Sequence, residues 1–307
     1  MTGLPLGFGL PVSGSWATAA NLVTVARAAE SLGYSSLWAF QRLLHPAEGD
    51  WGPVYHAVQD PVATLAHVAA ITSRPRLGVA VLNAPFYSPV LLAKQLNTLD
   101  ELSAGRLDVG LGLGWAPEEF TASGVPYERR GARVEEFVKC LKAIWTSDVV
   151  EFEGEFYRMP ASRVLPGPVQ QPHPPLLMGG GAERALRRVG RIADGWISAS
   201  RHDLRGIGAD IDTIRAAAHE AGRDPAGLRF IVRGVLNLTD TAAGADRRPL
   251  HGSAAQIRDD FDRLHEQGVT ELFIDLNFDP SIGSVEADPA ASMRRAEQVL
   301  STFAPGA

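Results

Sequence analysis

The fold is decided by the stretch Leu102-Ser-Ala-Gly-Arg-Leu-Asp-Val-Gly-Leu-Gly-Leu-Gly-Trp115, which is followed by Ala116-Pro-Glu-Glu-Phe120. Residues 107–113 predict a buried strand, in which every second residue from Gly110 onward is glycine. A glycine in a strand allows another backbone or a flat ligand to approach closely. Three glycines near the carboxyl end of one strand therefore predict either tight strand packing or a platform beneath a planar ligand.

Outward from this strand, short apolar strands alternate with amphipathic helices along the chain. The predicted strands cover residues 6–10, 36–40, 77–82, 107–113, 176–178, 195–199, 229–238 and 271–276. The predicted helices cover residues 16–32, 61–73, 89–102, 128–145, 183–192, 210–221, 254–267 and 286–303. This alternation is typical of an α/β protein folded as a (β/α)8 TIM barrel. A doubly wound open sheet is the competing architecture, but no G-x-G-x-x-G turn opens a helix.

One segment interrupts the alternation. Residues 146–175 are rich in proline, and residues 149–157 alternate around a glycine as in a β-hairpin. We therefore expect a surface insertion between the fourth and fifth β/α units of a single domain that spans residues 1–307.

Composition limits the possible partners and compartment. The chain of 307 residues carries a formal net charge of -6, without a basic stripe, so we expect no nucleic-acid partner. No apolar run is long enough to cross a bilayer, and the first residues lack a signal-peptide pattern, so we expect a cytoplasmic protein. Cys140 is the single cysteine, on a predicted helix, and is expected to be a packed thiol. Histidine spacing predicts no metal site.

In a barrel of this kind, ligands bind in the loops at the carboxyl ends of the strands. These loops hold residues 40–45, 83–87, 115–119, 179–183 and 200–202. The triplet Gly179-Gly-Gly181 leads into a helix, whose free N–H groups and dipole favour an anion such as phosphate. A flexible turn with a helix cap is the alternative. Glu118 and Glu119, at a helix start, are expected to be capping residues, with acid–base work as the alternative.

The sequence resembles the bacterial-luciferase-like flavin and deazaflavin oxidoreductases. The resemblance covers most of the chain up to about residue 200. It rests on the segments Gly33-Tyr-Ser-Ser-Leu-Trp38, Pro89-Val-Leu-Leu-Ala-Lys-Gln-Leu96, Leu99-Asp-Glu-Leu-Ser-Ala-Gly-Arg-Leu107, Gly110-Leu-Gly-Leu-Gly-Trp115 with Glu118-Glu-Phe120, Phe152-Glu-Gly-Glu-Phe-Tyr157, Pro174-Pro with Gly179-Gly, and Ala193-Asp-Gly-Trp196.

The resemblance implies a cofactor site for coenzyme F420, a deazaflavin, or for FMN. Its ring would lie across the ends of the third and fourth strands, backed by a non-prolyl cis peptide at Ala80-Val81. Backbone at Gly112, Leu113 and Gly114 would face the ring edge, which would explain the glycine spacing, and a valine at Gly114 would occupy the ring's place. The cofactor phosphate would lie at Gly179–Ala182. The implied cofactor-binding residues are Phe40, Ala80, Val81, Gly112, Leu113, Gly114, Trp115, Gly179, Gly180, Gly181 and Ala182.

The chain departs from the resemblance at one point. Many deazaflavin-using relatives carry an Asp-His pair after the second strand, where this chain has Gln41-Arg42. Neither glutamine nor arginine is a good acid or base at neutral pH. We therefore name Gln41, Arg42 and His45 as the catalytic candidates. Arg42 would hold a carboxylate, a phosphate or an anionic reduced ring, and His45 would donate a proton.

Four functions remain open. The first is hydride transfer between F420 and a small organic substrate, and the second is an FMN-dependent monooxygenase supplied by a separate cofactor reductase. The third is a catalytically silent flavin-binding protein. A phosphosugar-handling barrel would use the same anion pocket but leaves the glycines of the fourth strand unexplained. The resemblance also implies a homodimer.

Overall fold

Eight parallel strands form a closed barrel in the computed structural model, which describes residues 3–49 and 51–305. We label these strands β1 to β8: Leu6–Gly9, Ser36–Ala39, Arg76–Val79, Leu107–Gly112, Leu176–Gly179, Gly195–Ile197, Arg229–Gly234 and Glu271–Ile274. Their order around the barrel is β3-β2-β1-β8-β7-β6-β5-β4, and pairing of β3 with β4 closes it. The predicted (β/α)8 barrel is confirmed.

A helix lies between each pair of strands and after the last one. These helices, α1 to α8, are Ala19–Ser31, Pro61–Ile71, Pro89–Leu102, Arg130–Thr146, Glu183–Ile192, Ile207–Glu220, Ala254–Glu266 and Pro289–Thr302. Two short helices lie in the loops, Pro117–Ala122 and Pro280–Gly283. The loops also contain 3-10 turns at Pro53–Tyr55, Ala84–Phe86, Leu204–Gly206, Pro225–Gly227 and Leu276–Phe278, and a small parallel pair formed by Asn237–Leu238 and His251–Gly252.

Several element boundaries differ from the predicted ones because side chains fix them. Helix α1 begins three residues later than expected because the Thr18 side chain accepts a hydrogen bond from the Asn21 N–H. Helix α8 begins at Pro289, where Asp288 provides the same type of cap. The strand expected at residues 77–82 is divided into β3 and the short piece Leu82–Asn83, separated by Ala80 and Val81.

The predicted insertion contains the expected hairpin, formed by the antiparallel strands Val150–Glu153 and Arg158–Ser162. Its turn is held to α4, because the Glu136 carboxylate accepts hydrogen bonds from the backbone of Phe156 and Tyr157, both at 2.7 Å. The rest of the insertion is tied to α3 in the same way. There Asp100 accepts hydrogen bonds from two backbone N–H groups of residues 169–170.

The single thiol is packed, as expected from the sequence. Cys140 is buried in the inward face of α4, and burial raises its pKa to about 11. Among the described residues, no helix is long and apolar enough to cross a membrane. The same residues contain no cluster of histidine, cysteine, aspartate and glutamate side chains able to hold a metal ion.

The amino ends of the strands are joined by a network of buried charges. The Asp108 carboxylate, which is fully buried in β4, accepts hydrogen bonds from Arg76 and Arg229, both at 2.7 Å. Arg229 also donates to Glu271 at 2.9 Å. Because these residues begin or nearly begin strands β3, β4, β7 and β8, the network fixes strands on both sides of the barrel. At this end of a TIM barrel such residues serve stability.

We expect Arg229→Met to destabilise the protein by about 3 kcal/mol or more, because it leaves two buried carboxylates with fewer partners. The measurement is the free energy of unfolding in urea or guanidinium. Arg163→Met is the matched control, since Arg163 pairs with Asp148 where both side chains are exposed and should change stability by less than about 1 kcal/mol. Equal effects of the two substitutions would contradict this account.

Candidate active site

A cavity of about 510 Å³ lies at the carboxyl ends of the strands. It is lined by the loops that follow strands β2 to β6, together with Arg233 of β7 and Phe278 after β8. The lining includes all but one of the candidate residues named from the sequence, namely Phe40, Gln41, Arg42, Ala80, Val81, Gly112, Leu113, Gly114, Trp115, Gly179, Gly180, Gly181 and Ala182. The exception is His45, which does not line the cavity.

One wall is formed where the chain passes from β3 to the loop after it. The peptide bond between Ala80 and Val81 is cis, as the resemblance implies. The Arg233 guanidinium donates a hydrogen bond to the Ala80 carbonyl. Arg233 is itself buried, with its Nε 3.3 Å from the Asp275 carboxylate. Burial lowers the pKa of Arg233 and raises that of Asp275, so the two buried charges depend on each other.

The glycines of β4 have a different cause from the one the resemblance implies. A Cβ at Gly110 would overlap the Val79 carbonyl, and a Cβ at Gly112 would overlap the Val81 side chain. Their spacing is therefore explained by tight strand packing, although Gly112 also lines the cavity.

Gly114 requires a second correction. Its φ of 74° is in the left-handed region, and a Cβ there would lie 2.9 Å from the Phe120 ring. A valine at this position would therefore meet protein atoms and unfavourable backbone geometry. The expectation that it would occupy the ring's place in an otherwise unchanged barrel is wrong.

The glycine triplet leads into α5, as expected. The residue before this helix is Ala182, so no side chain caps its first N–H groups. At Gly180 the φ is 139°, and a Cβ would lie 2.7 Å from that of Ala185. Residues 179–182 all line the cavity. The free N–H groups of α5 thus lie beside the cavity, where the helix dipole favours an anion.

Arginines surround this helix terminus. Arg130, Arg184 and Arg188 line the cavity. Arg188 pairs with Glu135 at 2.8 Å. Within the part of the chain that the structure describes, neither Arg130 nor Arg184 has a carboxylate partner. Arg187, on the same helix, pairs with Glu220 and does not line the cavity.

Arg42 and Glu119 form a buried ion pair that the sequence did not predict. The Arg42 Nη2 lies 3.4 Å from Glu119 Oε2, and the two side chains are 7% and 0% exposed. Glu119 Oε1 also accepts a hydrogen bond from the Leu43 N–H at 2.7 Å. The expected capping role of Glu119 is therefore wrong, because its carboxylate is directed at the loop after β2. Its neighbour Glu118 remains exposed in the first turn of the short helix.

Three aromatic rings from two loops surround the same guanidinium. The Arg42 Cζ lies 4.9 Å from the ring centroid of Trp115, 5.5 Å from that of Tyr55 and 5.7 Å from that of Trp51. Distances of this size allow cation–π attraction. The contributions of Trp51 and Tyr55 were missed in the sequence, because they come from a long loop without a recognisable motif.

The other two catalytic candidates have different surroundings. Gln41 is buried, and both polar atoms of its side-chain amide make hydrogen bonds. The oxygen accepts one from the Asn83 N–H at 2.8 Å, and the nitrogen donates one to Tyr87 Oη. It therefore joins the ends of β2 and β3. The His45 ring lies 3.9 Å from the ring of His56, outside the cavity lining.

The cavity region holds more unpaired donors than acceptors. Four buried donor atoms of lining residues have no hydrogen-bond partner: Arg42 Nη1, Asn83 Nδ2, Arg130 Nε and Arg233 Nε, the last of which faces the Asp275 carboxylate at 3.3 Å. One buried acceptor atom beside the cavity also has no hydrogen-bond partner, namely Glu119 Oε2, which faces Arg42. Since unpaired buried donors are costly, a bound molecule rich in acceptors would complement this site.

The described lining contains no histidine, cysteine, lysine, aspartate or glutamate. Its charged side chains are all arginines, whose guanidinium groups donate hydrogen bonds and accept none. Such a lining orients a ligand rather than supplying a nucleophile or a base. The fold and the site define a (β/α)8-barrel protein with a cavity suited to a flat, acceptor-rich, anionic organic molecule.

The chain belongs to the luciferase-like monooxygenase family, whose family model matches residues 6–271. An uncharacterised protein of Mycobacterium tuberculosis is 37% identical over 219 residues, which is 67% of this chain and 76% of that protein. An FMNH2-dependent dimethylsulfone monooxygenase of Pseudomonas putida is 38% identical over 168 residues, covering 53% of this chain and 46% of the relative. The family comprises oxidoreductases and monooxygenases, which supports an enzymatic role.

Solved structures share the fold along nearly the whole chain. The monooxygenase RslO1 from Streptomyces bottropensis superposes with a TM-score of 0.81 at 23% identity, covering 99% of both chains. A coenzyme F420-dependent tetrahydromethanopterin reductase from Methanopyrus kandleri gives 0.74 at 17% identity, covering 96% of this chain and 97% of the other. An F420-dependent secondary alcohol dehydrogenase gives 0.77 at 17% identity, with 97% and 98% covered.

We expect Gly112→Ala to lower the free energy of unfolding by about 1–3 kcal/mol, because its Cβ would displace Val81. Chemical denaturation measures this change. Gly244→Ala is the matched control, since Gly244 is exposed and has open space at its Cβ position. A fully stable Gly112→Ala protein would mean that packing against β3 does not require this glycine.

Proposed function

We propose that the protein transfers a hydride between coenzyme F420 and a small organic substrate. The observation that carries this proposal is a pair of arginines, Arg130 and Arg184, at the uncapped N-terminus of α5. Arg130 and Arg184 line the cavity, and within the described residues neither has a carboxylate partner. One phosphate would be met by the helix terminus alone. The two arginines favour a longer anionic tail, such as the phosphodiester and glutamate carboxylates of F420.

The residues of the cavity fit a deazaflavin in three respects. The unpaired donor Asn83 Nδ2 matches a heterocycle that carries carbonyl and ring-nitrogen acceptors. The wall at Ala80 and Val81 is apolar and suits a flat ring. A cavity of about 510 Å³ is within the usual size range of cofactor sites.

When bound, F420 supplies two-electron hydride chemistry that no protein side chain can provide. The chain's own residues would bind and orient. Residues 179–182 and the neighbouring arginines would hold the anionic tail, and Arg233 fixes the wall at the Ala80 carbonyl. Of the three catalytic candidates, we retain Arg42, because it lines the cavity with a free N–H and so can hold a substrate oxygen. Gln41 would act by positioning Asn83.

A second candidate function is an FMN-dependent monooxygenase that receives reduced flavin from a separate reductase. It is supported by the dimethylsulfone monooxygenase of Pseudomonas putida, whose printed name includes FMNH2 and which is 38% identical over about half of this chain. The same helix terminus would accept the FMN phosphate. In that case Arg130 and Arg184 would have no role in binding the cofactor.

The test is titration of the purified protein with F420 and, separately, with FMN, followed by cofactor fluorescence. We expect F420 to bind at least about tenfold more tightly than FMN, a difference of about 1.4 kcal/mol. Ala182→Glu should weaken F420 binding by at least about tenfold, because it sets a carboxylate against the anionic tail. Ala182→Gln, its uncharged match, should bind nearly as well as the unaltered protein.

The outcomes separate the candidates. Tighter binding of FMN would favour the monooxygenase. Binding of neither cofactor would reject both functions. An equal effect of Ala182→Glu and Ala182→Gln on F420 binding would show that the anion site is not at the N-terminus of α5.

A further inference from the structure

We propose that the substrate is an aromatic carboxylic acid, whose carboxylate accepts a hydrogen bond from Arg42 between the rings of Trp51, Tyr55 and Trp115. This inference rests on the proposed oxidoreductase function and names the substrate class of the same site. It is carried by an unpaired donor in a buried guanidinium, by the rings around it and by the charge of an adjoining second cavity.

Arg42 is held in place yet retains donor capacity. Its Nε donates to the Gln41 carbonyl at 2.9 Å, and its Nη2 faces Glu119. Its Nη1 is buried and has no hydrogen-bond partner, and only 7% of the side chain is exposed. A buried, preorganised N–H of a charged group is a strong site for a carboxylate oxygen.

The rings around Arg42 favour a flat apolar body attached to that carboxylate. Trp115 is 49% exposed although its ring contacts both Trp51 and Arg42. Its remaining surface is thus available to another ring, and aromatic pairs attract in offset or edge-to-face arrangements. Tyr55 and Phe278 continue the apolar wall into the second cavity.

The second cavity, of about 630 Å³, adjoins the first one. Tyr55, Ser200, Arg233 and Phe278 line both cavities, so the two share one wall. Together the two cavities are lined by eight arginines: Arg42, Arg130, Arg184, Arg188, Arg201, Arg205, Arg233 and Arg248. Among the described lining residues, the sole carboxylate is that of Asp203.

The charges of the second cavity explain why the acceptor is an anion rather than a neutral carbonyl. Arg42 and Arg233 are each compensated by a buried carboxylate, so they contribute little long-range field. Arg201, Arg205 and Arg248 are exposed and are opposed by Asp203 alone within that lining. A cleft with this excess of positive charge concentrates anions at its entrance. The second cavity would therefore recruit the acid, and Arg42 would fix its carboxylate.

The experiment compares benzoate with benzamide, a neutral molecule of nearly the same shape. Binding is followed by quenching of tryptophan fluorescence, both without cofactor and with F420 present. We expect benzoate to bind at least about tenfold more tightly than benzamide, and Arg42→Met to remove that preference. Arg163→Met is the matched control, because it removes an exposed arginine of the insertion and should leave the preference unchanged.

A second variant keeps the test decisive if Arg42→Met does not fold. Glu119→Gln retains an oxygen acceptor for the Leu43 N–H but removes the charge that opposes Arg42. It should therefore tighten benzoate binding severalfold and leave benzamide binding unchanged.

Three results would overturn the inference. The first is equal binding of benzoate and benzamide, or no binding of either. The second is a preference for benzoate that survives in Arg42→Met or fails to increase in Glu119→Gln. The third is displacement of benzoate by F420, which would assign Arg42 to the cofactor. Since benzoate binding is measured without turnover, its failure is distinguishable from a failure to bind F420.

Discussion

The close approach of strands β3 and β4 is the constraint on which the site depends. Without side chains at Gly110 and Gly112, the Val79 carbonyl and the Val81 side chain lie against the backbone of β4. The same pair of strands closes the barrel. Directly after β3 the chain turns at Ala80 and Val81, and these two residues form one wall of the cavity. Barrel closure and cavity shape are therefore produced by the same contact.

The two ends of the barrel use arginine and carboxylate groups differently. At the amino end, Asp108 and Glu271 are joined by hydrogen bonds to Arg76 and Arg229, and the network is stabilising. At the carboxyl end, Arg42 faces its buried carboxylate and keeps one unpaired donor atom, Nη1. An unpaired buried donor lowers stability, and such costs are typical of functional sites. The contrast separates the structural end from the functional end.

Local sequence patterns were sufficient to predict the barrel, and the resemblance implied about half of the cavity lining. Strand and helix periodicity, the glycine triplet before α5 and the resemblance placed residues 179–182 and Ala80–Val81 correctly within it. What failed depends on contacts between distant segments. Glu119 looked like a helix cap because its partner Arg42 lies far away along the chain. His45 follows β2 closely in sequence, yet its ring turns to His56 outside the cavity. The packing cause of the β4 glycines also required the position of Val81.

The most direct test of this account is a crystal structure of the protein with F420 bound. The account predicts that the deazaflavin ring lies against Ala80 and Val81, and that the anionic tail meets the N-terminus of α5 beside Arg130 and Arg184. A ring bound in the second cavity, or a tail directed away from α5, would contradict it.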